Sequence, residues 1–347
     1  MGNVVLSIRD FDSSPEAALK IWHRIWHRDM DRPRLCIPCV DFEAGKCYAV
    51  VGKSGAGKTV LNSLLLGLPS SRVGSAVHVG SMDWWNDAVR ICAADFSASS
   101  RLLSRWRDVR HRGTLLYLPQ ILPDGRGYQM STRIYLEHVI AALIRQADID
   151  PRAIHNPFET FPDALHGVLG NKVTSLSGGE RRRVELWARL TVLQALSKDR
   201  LALLILDEPT TGLDVPDERR YLEELRWRMT KLPNLCVLVT THALYFIDDH
   251  LPQTLSNSTQ LQVPLFDKVC LVHKEPCSGN GSSRNIGPIC RVTSAIDSGS
   301  LCKSVMRRTP EKSVEDSMEA FVDWQAGLSG NEFSEKVANV YFMGATK

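Results

Sequence analysis

The sequence predicts an α/β fold, with a doubly wound and mainly parallel sheet between layers of helices. Three observations carry this. Gly52, Lys53, Ser54, Gly55, Ala56, Gly57, Lys58 and Thr59 fit G-x-x-x-x-G-K-[ST], and they lie between the apolar run 47–51 and a helical pattern over 58–66. Residues 201–206 and 235–240 are short, almost wholly apolar runs of the kind buried on both faces of a parallel sheet. Helical patterns separate these runs, as strand–helix–strand crossovers require.

Taken in order, residues 4–8 read as a strand and 15–28 as a basic amphipathic helix carrying Trp22, His23, Trp26 and His27. Residues 35–42 and 47–51 are strand-like, parted by the turn Glu43, Ala44, Gly45, Lys46. The helix over 58–66 ends near Gly67 and Pro69, and the alternation over 73–82 suggests a hairpin or edge strand. Residues 83–113 are less regular. They carry Trp84, Trp85 and Trp106 and a cationic stretch of Arg101, Arg105, Arg107, Arg110, His111 and Arg112. That stretch fits a solvated helix whose arginine stems cover apolar neighbours, or a docking face for a membrane surface or an acidic partner.

Residues 114–118 form a strand ending at Pro119 and Gln120. Helical patterns follow over 131–146, 161–169, 178–196 and 217–231, and 269–272 is a last strand. Serine, glycine and asparagine dominate 277–287, a linker by composition, and 313–328 holds one amphipathic helix. The organisation expected is a domain over 1–275, with a helical lobe at about 121–190, then a linker and tail over 276–347.

A net charge of +3 is too small to argue for nucleic acid, and no direct nucleic-acid binding is expected. The longest aliphatic run, 201–206, falls far short of the roughly 20 apolar residues of a membrane helix. Residues 1–10 do not read as a signal peptide, so a soluble cytoplasmic chain is expected. The nine cysteines lack disulfide-like density. Cys36 and Cys39 match C-x-x-C, but odd spacing on a strand turns them to opposite faces. His23 and His27 have no further ligand cluster beside them.

Three segments carry chemistry. In the glycine-rich loop, backbone N–H groups turn inward around phosphate oxygens at a helix N-terminus. Lys58 suits neutralisation of the β- and γ-phosphates, and Thr59 offers its hydroxyl to Mg²⁺. Asp207 and Glu208 end the apolar strand 201–206, where Asp207 suits holding Mg²⁺ through water and Glu208 suits polarising an attacking water. Ser177, Gly178, Gly179 and Glu180 match a capping box opening a helix. A cap alone does not explain Arg181, Arg182 and Arg183 in the first turn, where the helix dipole disfavours cations. Two glycines there also suggest close approach of something to the backbone. An anion held at this N-terminus would rationalise the glycines and relieve some of the arginine repulsion.

These segments, with Gln120, Leu176, Asp214 and His242, stand in the order of the ATP-binding cassette (ABC) ATPase motifs, which the chain resembles over about 4–273. In that family they are Walker A (Gly52 to Thr59), the Q-loop glutamine (Gln120), the signature (Leu176 to Glu180), Walker B (203–208), the D-loop aspartate (Asp214) and the H-loop histidine (His242). Glu180 stands where glutamine is commoner. The resemblance implies a RecA-like P-loop NTPase core with a parallel sheet, an antiparallel β edge and an α-helical signature subdomain. It implies ATP and Mg²⁺ as cofactors, with Thr59, Gln120 and Asp207 at the metal. It further implies head-to-tail pairing with a second ABC ATPase chain, identical or not, so that Ser177, Gly178 and Gly179 of one touch the γ-phosphate held by Lys58 of the other.

Glu208, His242 and Gln120 are then the catalytic set, with Asp214 at the dimer seam. The aromatic that stacks on adenine has three candidates, Trp26, Trp22 and Phe11. The function implied is an ATP-hydrolysing transporter subunit, peripheral at the inner face of a membrane through a separate permease. A non-transport ABC ATPase acting on a soluble complex is the alternative.

Overall fold

Among the described residues, three strands, Cys47–Val51, Ala202–Asp207 and Leu235–Thr241, are buried at every position, and the rest of the architecture follows from covering them. The computed structural model describes residues 3–14, 34–52, 55–67, 77–120, 130–154, 156, 158, 162–196, 198–241, 250–251, 263–275, 289–292 and 296–297. In order, the elements are β1 (Val4–Ser14), β2 (Arg34–Glu43), β3 (Cys47–Val51), α1 (Lys58–Leu65), β4 (Val77–Trp84) and β5 (Val89–Cys92). Next come α2 (Ala93–Ser97), α3 (Ser99–Arg112), β6 (Thr114–Leu118), α4 (Thr132–Ala147), α5 (Asp163–His166) and α6 (Gly178–Gln194). Then follow β7 (Ala202–Asp207), α7 (Val215–Met229), β8 (Leu235–Thr241), β9 (His250–Leu251), β10 (Val263–Pro264), β11 (Lys268–Glu275), β12 (Ile289–Val292) and β13 (Ile296–Asp297).

β11, β3, β8, β7 and β6 lie side by side and all pair in parallel. The fully buried β7 and β8 sit inside that group, which is why their sequences run apolar rather than alternating. β5, β4, β1 and β2 form an antiparallel edge. β12 closes the gap between the two parts, antiparallel to β11 and parallel to β2, while β13 pairs with β11. β9 and β10 make a separate two-stranded ladder.

Three expectations need correction. The domain does not stop at residue 275, because β12 and β13 belong to its main sheet. Composition hid them: they are short, and a serine- and glycine-rich stretch precedes them. The expected helix over 161–169 shrinks to the single turn Asp163–His166, with Gly167 at its C-terminal cap. And 83–113 is ordered into β5, α2 and α3, behind a tight turn in which Trp85, Asn86 and Asp87 all have positive φ. Non-glycine residues there carry strain. Contacts hold it: Asn86 Oδ1 accepts from the Val4 amide at 3.0 Å, and Trp85 Nε1 donates to the Val109 carbonyl at 3.0 Å.

The tryptophans of that region are core. Trp84 meets Trp85 and Trp106 with ring centroids 5.4 Å apart in each pair, and a Cβ on Gly67 would stand 2.1 Å from the Trp106 ring. The cations of α3 face outward, with Arg110, His111 and Arg112 in its last turn, where the helix dipole favours them. The amphipathic pattern at 15–28 and the tail helix at 313–328 lie outside the described residues.

Buried charge ties the helices to the sheet. In the lobe, α4 packs on α6, and the Tyr135 hydroxyl donates to Glu185, which also receives the Arg189 guanidinium. Arg189 Nε and Nη2 then reach the Tyr117 carbonyl of β6 at 3.3 and 3.2 Å. At the opposite end of the sheet, Arg226 of α7 forks onto Asp267 at 2.7 and 3.2 Å, and Asp267 Oδ2 also accepts the Cys47 amide at 2.7 Å. Removing one partner of a buried pair strands the other. Arg226→Ala is therefore expected to cost about 3 kcal/mol, lowering the denaturant midpoint. An unchanged midpoint would contradict a structural role for the fork.

Candidate functional site

The site is built at the C-terminal ends of β3, β7 and β8, where an open α/β sheet leaves a crevice. At the end of β3, Gly52 has no room for a side chain: a Cβ would lie 2.2 Å from the Val272 carbonyl oxygen. Gly57 has φ +109°, and a Cβ there would lie 2.9 Å from Cys290 of β12. Gly55 also has positive φ, but open space surrounds its Cβ position. Among the described residues, the loop is thus pressed from behind at Gly52 and Gly57 and open at Gly55. Of the loop residues, Lys53 and Ser54 lie outside the described residues, Ala56 is buried and Thr59 is exposed.

Lys58 is only 5% exposed; its Nζ donates to the Gly52 carbonyl at 2.8 Å and stands 3.8 Å from Glu208 Oε1. Burial lowers its pKa, and the carboxylates of Glu208 and Asp207 oppose that shift. Glu208 has φ +46°, uncommon for a residue with a side chain. Its amide is held by Thr240, donating to the carbonyl at 3.1 Å and to Oγ1 at 2.8 Å. Gln120, exposed at the end of β6, donates from Nε2 to Glu208 Oε2 at 2.8 Å.

Asp207 is fully buried. Oδ1 accepts from the Thr240 hydroxyl at 2.6 Å, whereas Oδ2 has no hydrogen bond among the described residues. A buried carboxylate oxygen with spare capacity suits a cation or its bound water. Nearby Tyr117 has its phenol pushed up to about 12 by burial, by the Asp207 charge and by hydrogen bonding to that carboxylate, so it stays protonated. The structure therefore gathers Lys58, Gln120, Asp207 and Glu208 at one place. Thr240 completes that group and was not singled out in the sequence, where its hydroxyl closes an apolar run far along the chain from the two carboxylates.

The start of α6 is a different environment. Ser177 and Gly178 are exposed, and a Cβ on Gly178 would meet nothing within 4 Å. The capping box forms in full: Ser177 Oγ accepts from the Glu180 amide at 3.2 Å, and Glu180 Oε2 accepts from the Ser177 amide at 2.8 Å. Donation from the Ser177 amide, and then from its hydroxyl, lowers the Glu180 pKa. Gly179 lies tight against the next loop, its Cβ position 3.0 Å from the Gly212 carbonyl oxygen. Asp214 is exposed and caps α7 through the Asp217 amide at 3.0 Å.

The three arginines that suggested an outside anion find partners within the chain, which corrects that part of the inference. Arg181 donates to the Val173 carbonyl, Arg183 pairs with Asp217, and Arg182 reaches the carbonyls of Pro119, Gln120 and Glu208. Gly178, open on its outer side, remains without an internal explanation. Phe11 is also corrected: it is buried edge-on to Phe96 with centroids 5.4 Å apart and is not free to stack on a ligand. Trp22, Trp26 and His242 lie outside the described residues. Cys36 and Cys39 form no disulfide among the described residues, and Cys39 Sγ accepts from Arg9 Nη1 at 3.0 Å.

A phosphate loop, a strand-end acid pair and a glycine-opened helix occupy one α/β core. A family model described as ABC transporter matches residues 39–211. The chain belongs to the ABC family. Among curated relatives, the cassette is 33% identical over 201 residues to the Nod factor export ATP-binding protein I of Rhizobium johnstonii, covering 58% of this chain and 54% of that protein. The protein of the same name from Burkholderia lata is 31% identical over 211 residues, covering 58% and 55%. The chain thus spans about half the length of the curated relatives it matches.

Among solved structures, an ATP-binding subunit of an ABC transporter superposes with a TM-score of 0.50 at 15% identity, covering 91% of this chain and 99% of that one. The RNase-L inhibitor gives 0.50 at 16%, covering 97% and 49%. Likeness at this level speaks for the ABC fold. No described helix is long and apolar enough to cross a membrane.

Proposed function

We propose that this chain is the ATP-binding and ATP-hydrolysing subunit of an ABC transporter, pairing head to tail with a second cassette to drive a separate membrane permease. The observation that carries the reading is the meeting of Lys58, Gln120 and Glu208 beside the buried Asp207 carboxylate. The named exporters among the relatives favour transport over action on a soluble complex.

In this reading the loop from Gly52 to Thr59 cradles the phosphates with backbone N–H groups, and the Lys58 ammonium faces the β- and γ-phosphates. Thr59, Gln120 and Asp207 would hold Mg²⁺ together with water, and the ion would screen the phosphate charge. Glu208 takes a proton from the attacking water as its oxygen bonds to the γ-phosphorus and the bond to the ADP oxygen breaks. Glu208 is engaged by Gln120 and Lys58, so a nucleotide must loosen those contacts before the carboxylate can act. Ser177, Gly178 and Gly179 reach the partner's γ-phosphate, with Asp214 at the seam and His242 at the γ-phosphate by family resemblance. Closure around ATP and release after hydrolysis are then the mechanical output.

The test has two parts. The purified full chain is expected to hydrolyse ATP, and the tagged chain, solubilised from its native membranes, is expected to carry a multi-span membrane protein with it. Hydrolysis with only soluble companions would move the assignment to the non-transport class. Absence of ATP binding would remove it.

A further inference from the structure

Arg182 lies one turn into α6, and its guanidinium points back into the fold rather than out with the helix start. It is 4% exposed. Nη1 donates to the Pro119 carbonyl at 2.8 Å, and Nη2 donates to the carbonyls of Gln120 at 2.5 Å and Glu208 at 3.3 Å. One side chain therefore joins the helix opened by Ser177 to the two segments that present Gln120 and Glu208. Only arginine supplies a planar fork of donors able to span carbonyls from separate strands; a lysine ammonium is a point donor.

Glu208 needs such help. Its φ of +46° lies in a sparsely populated region, where a residue stays only if its surroundings over-determine it. Thr240 fixes the amide side of the residue and Arg182 the carbonyl side. With both in place, the carboxylate is aimed at Gln120 and Lys58.

Building on the proposed function above, we propose that Arg182 is a positioning residue, holding Glu208 and Gln120 of its own chain in the geometry that hydrolysis requires. Its action is in cis, although it sits on the helix whose first residues serve the partner's nucleotide. A purely structural role for Arg182 would instead disturb that helix start, and so the partner's site.

Mixed dimers separate the two. Two differently tagged full-length chains, one carrying Lys58→Ala, are purified together, so that a single intact phosphate loop works in each dimer. Arg182→Gln is placed either in the chain with the intact loop or in the Lys58→Ala chain, which lends only its helix start. Turnover is expected to be about tenfold lower in the first arrangement than in the second, with half-saturating ATP equal within about twofold, because misaiming a reacting group costs rate rather than binding. The second arrangement also reports whether the variant folds. Equal losses in both, or a greater loss in the second, overturn the inference. A silent parent mixture, without any change at Arg182, removes the composite-site reading instead, and the inference falls with it.

Discussion

Glu208→Gln is expected to bind ATP as the parent chain does and to lose turnover by on the order of a thousandfold. The amide keeps the size of the side chain and can still hydrogen-bond Gln120, yet it cannot take a proton from water. Lys58, 3.8 Å from the carboxylate, loses a counter-charge in this variant. The freed ammonium is then more available to phosphate, so ATP affinity should hold or rise. A dimer closed on ATP should accumulate, because the step that opens it is the one removed. Size-exclusion chromatography with ATP and single-turnover hydrolysis read the two effects. Parental rates in the variant would end the general-base assignment.

Ser177→Arg tests the other half of the site. The hydroxyl caps α6, and the space beyond Gly178 is open. A bulky cation there should block the partner's nucleotide while leaving the chain's own loop untouched. Hydrolysis is expected to fall by roughly a hundredfold or more, with ATP binding retained. Mixing this chain with Lys58→Ala should rebuild one working site, in which the loop of the first chain meets the helix start of the second. Mixed dimers that form and stay inactive would argue against composite sites. Loss of the cap itself costs about 1 kcal/mol, so a fall in melting temperature alone would not account for the effect.

The parallel core was legible because its chemistry is local. Residues 201–206 and 235–240 are apolar at nearly every position, and only strands buried on both faces need that. The phosphate loop, Asp207 and Glu208 announce themselves by spacing. The capping box was equally plain, since Ser177 and Glu180 meet within one turn. What escaped depends on contacts between distant segments. Arg182 looked like surplus charge at a helix start, and only the path of the chain reveals the three carbonyls it serves. Thr240 looked like the end of a strand, with nothing in its neighbours to mark its hold on Asp207 and Glu208. Phe11 read as a candidate stacking aromatic because sequence does not say which faces the fold later covers. β12 was missed for a similar reason, being four residues whose partners lie far away in the chain.

β12 also sets a timetable. Its Cys290 backs the phosphate loop at Gly57, and its backbone fills the slot between β2 and β11. During synthesis, the loop and the acid pair leave the ribosome long before the strand that braces them. Until residue 292 has emerged, β2 and β11 each present an unpaired edge, open to wrong pairing with other chains. The growing cassette therefore carries the residues of the glycine-rich loop for some 230 residues of elongation before that loop has its back wall. Birth order in this chain runs chemistry first and brace last.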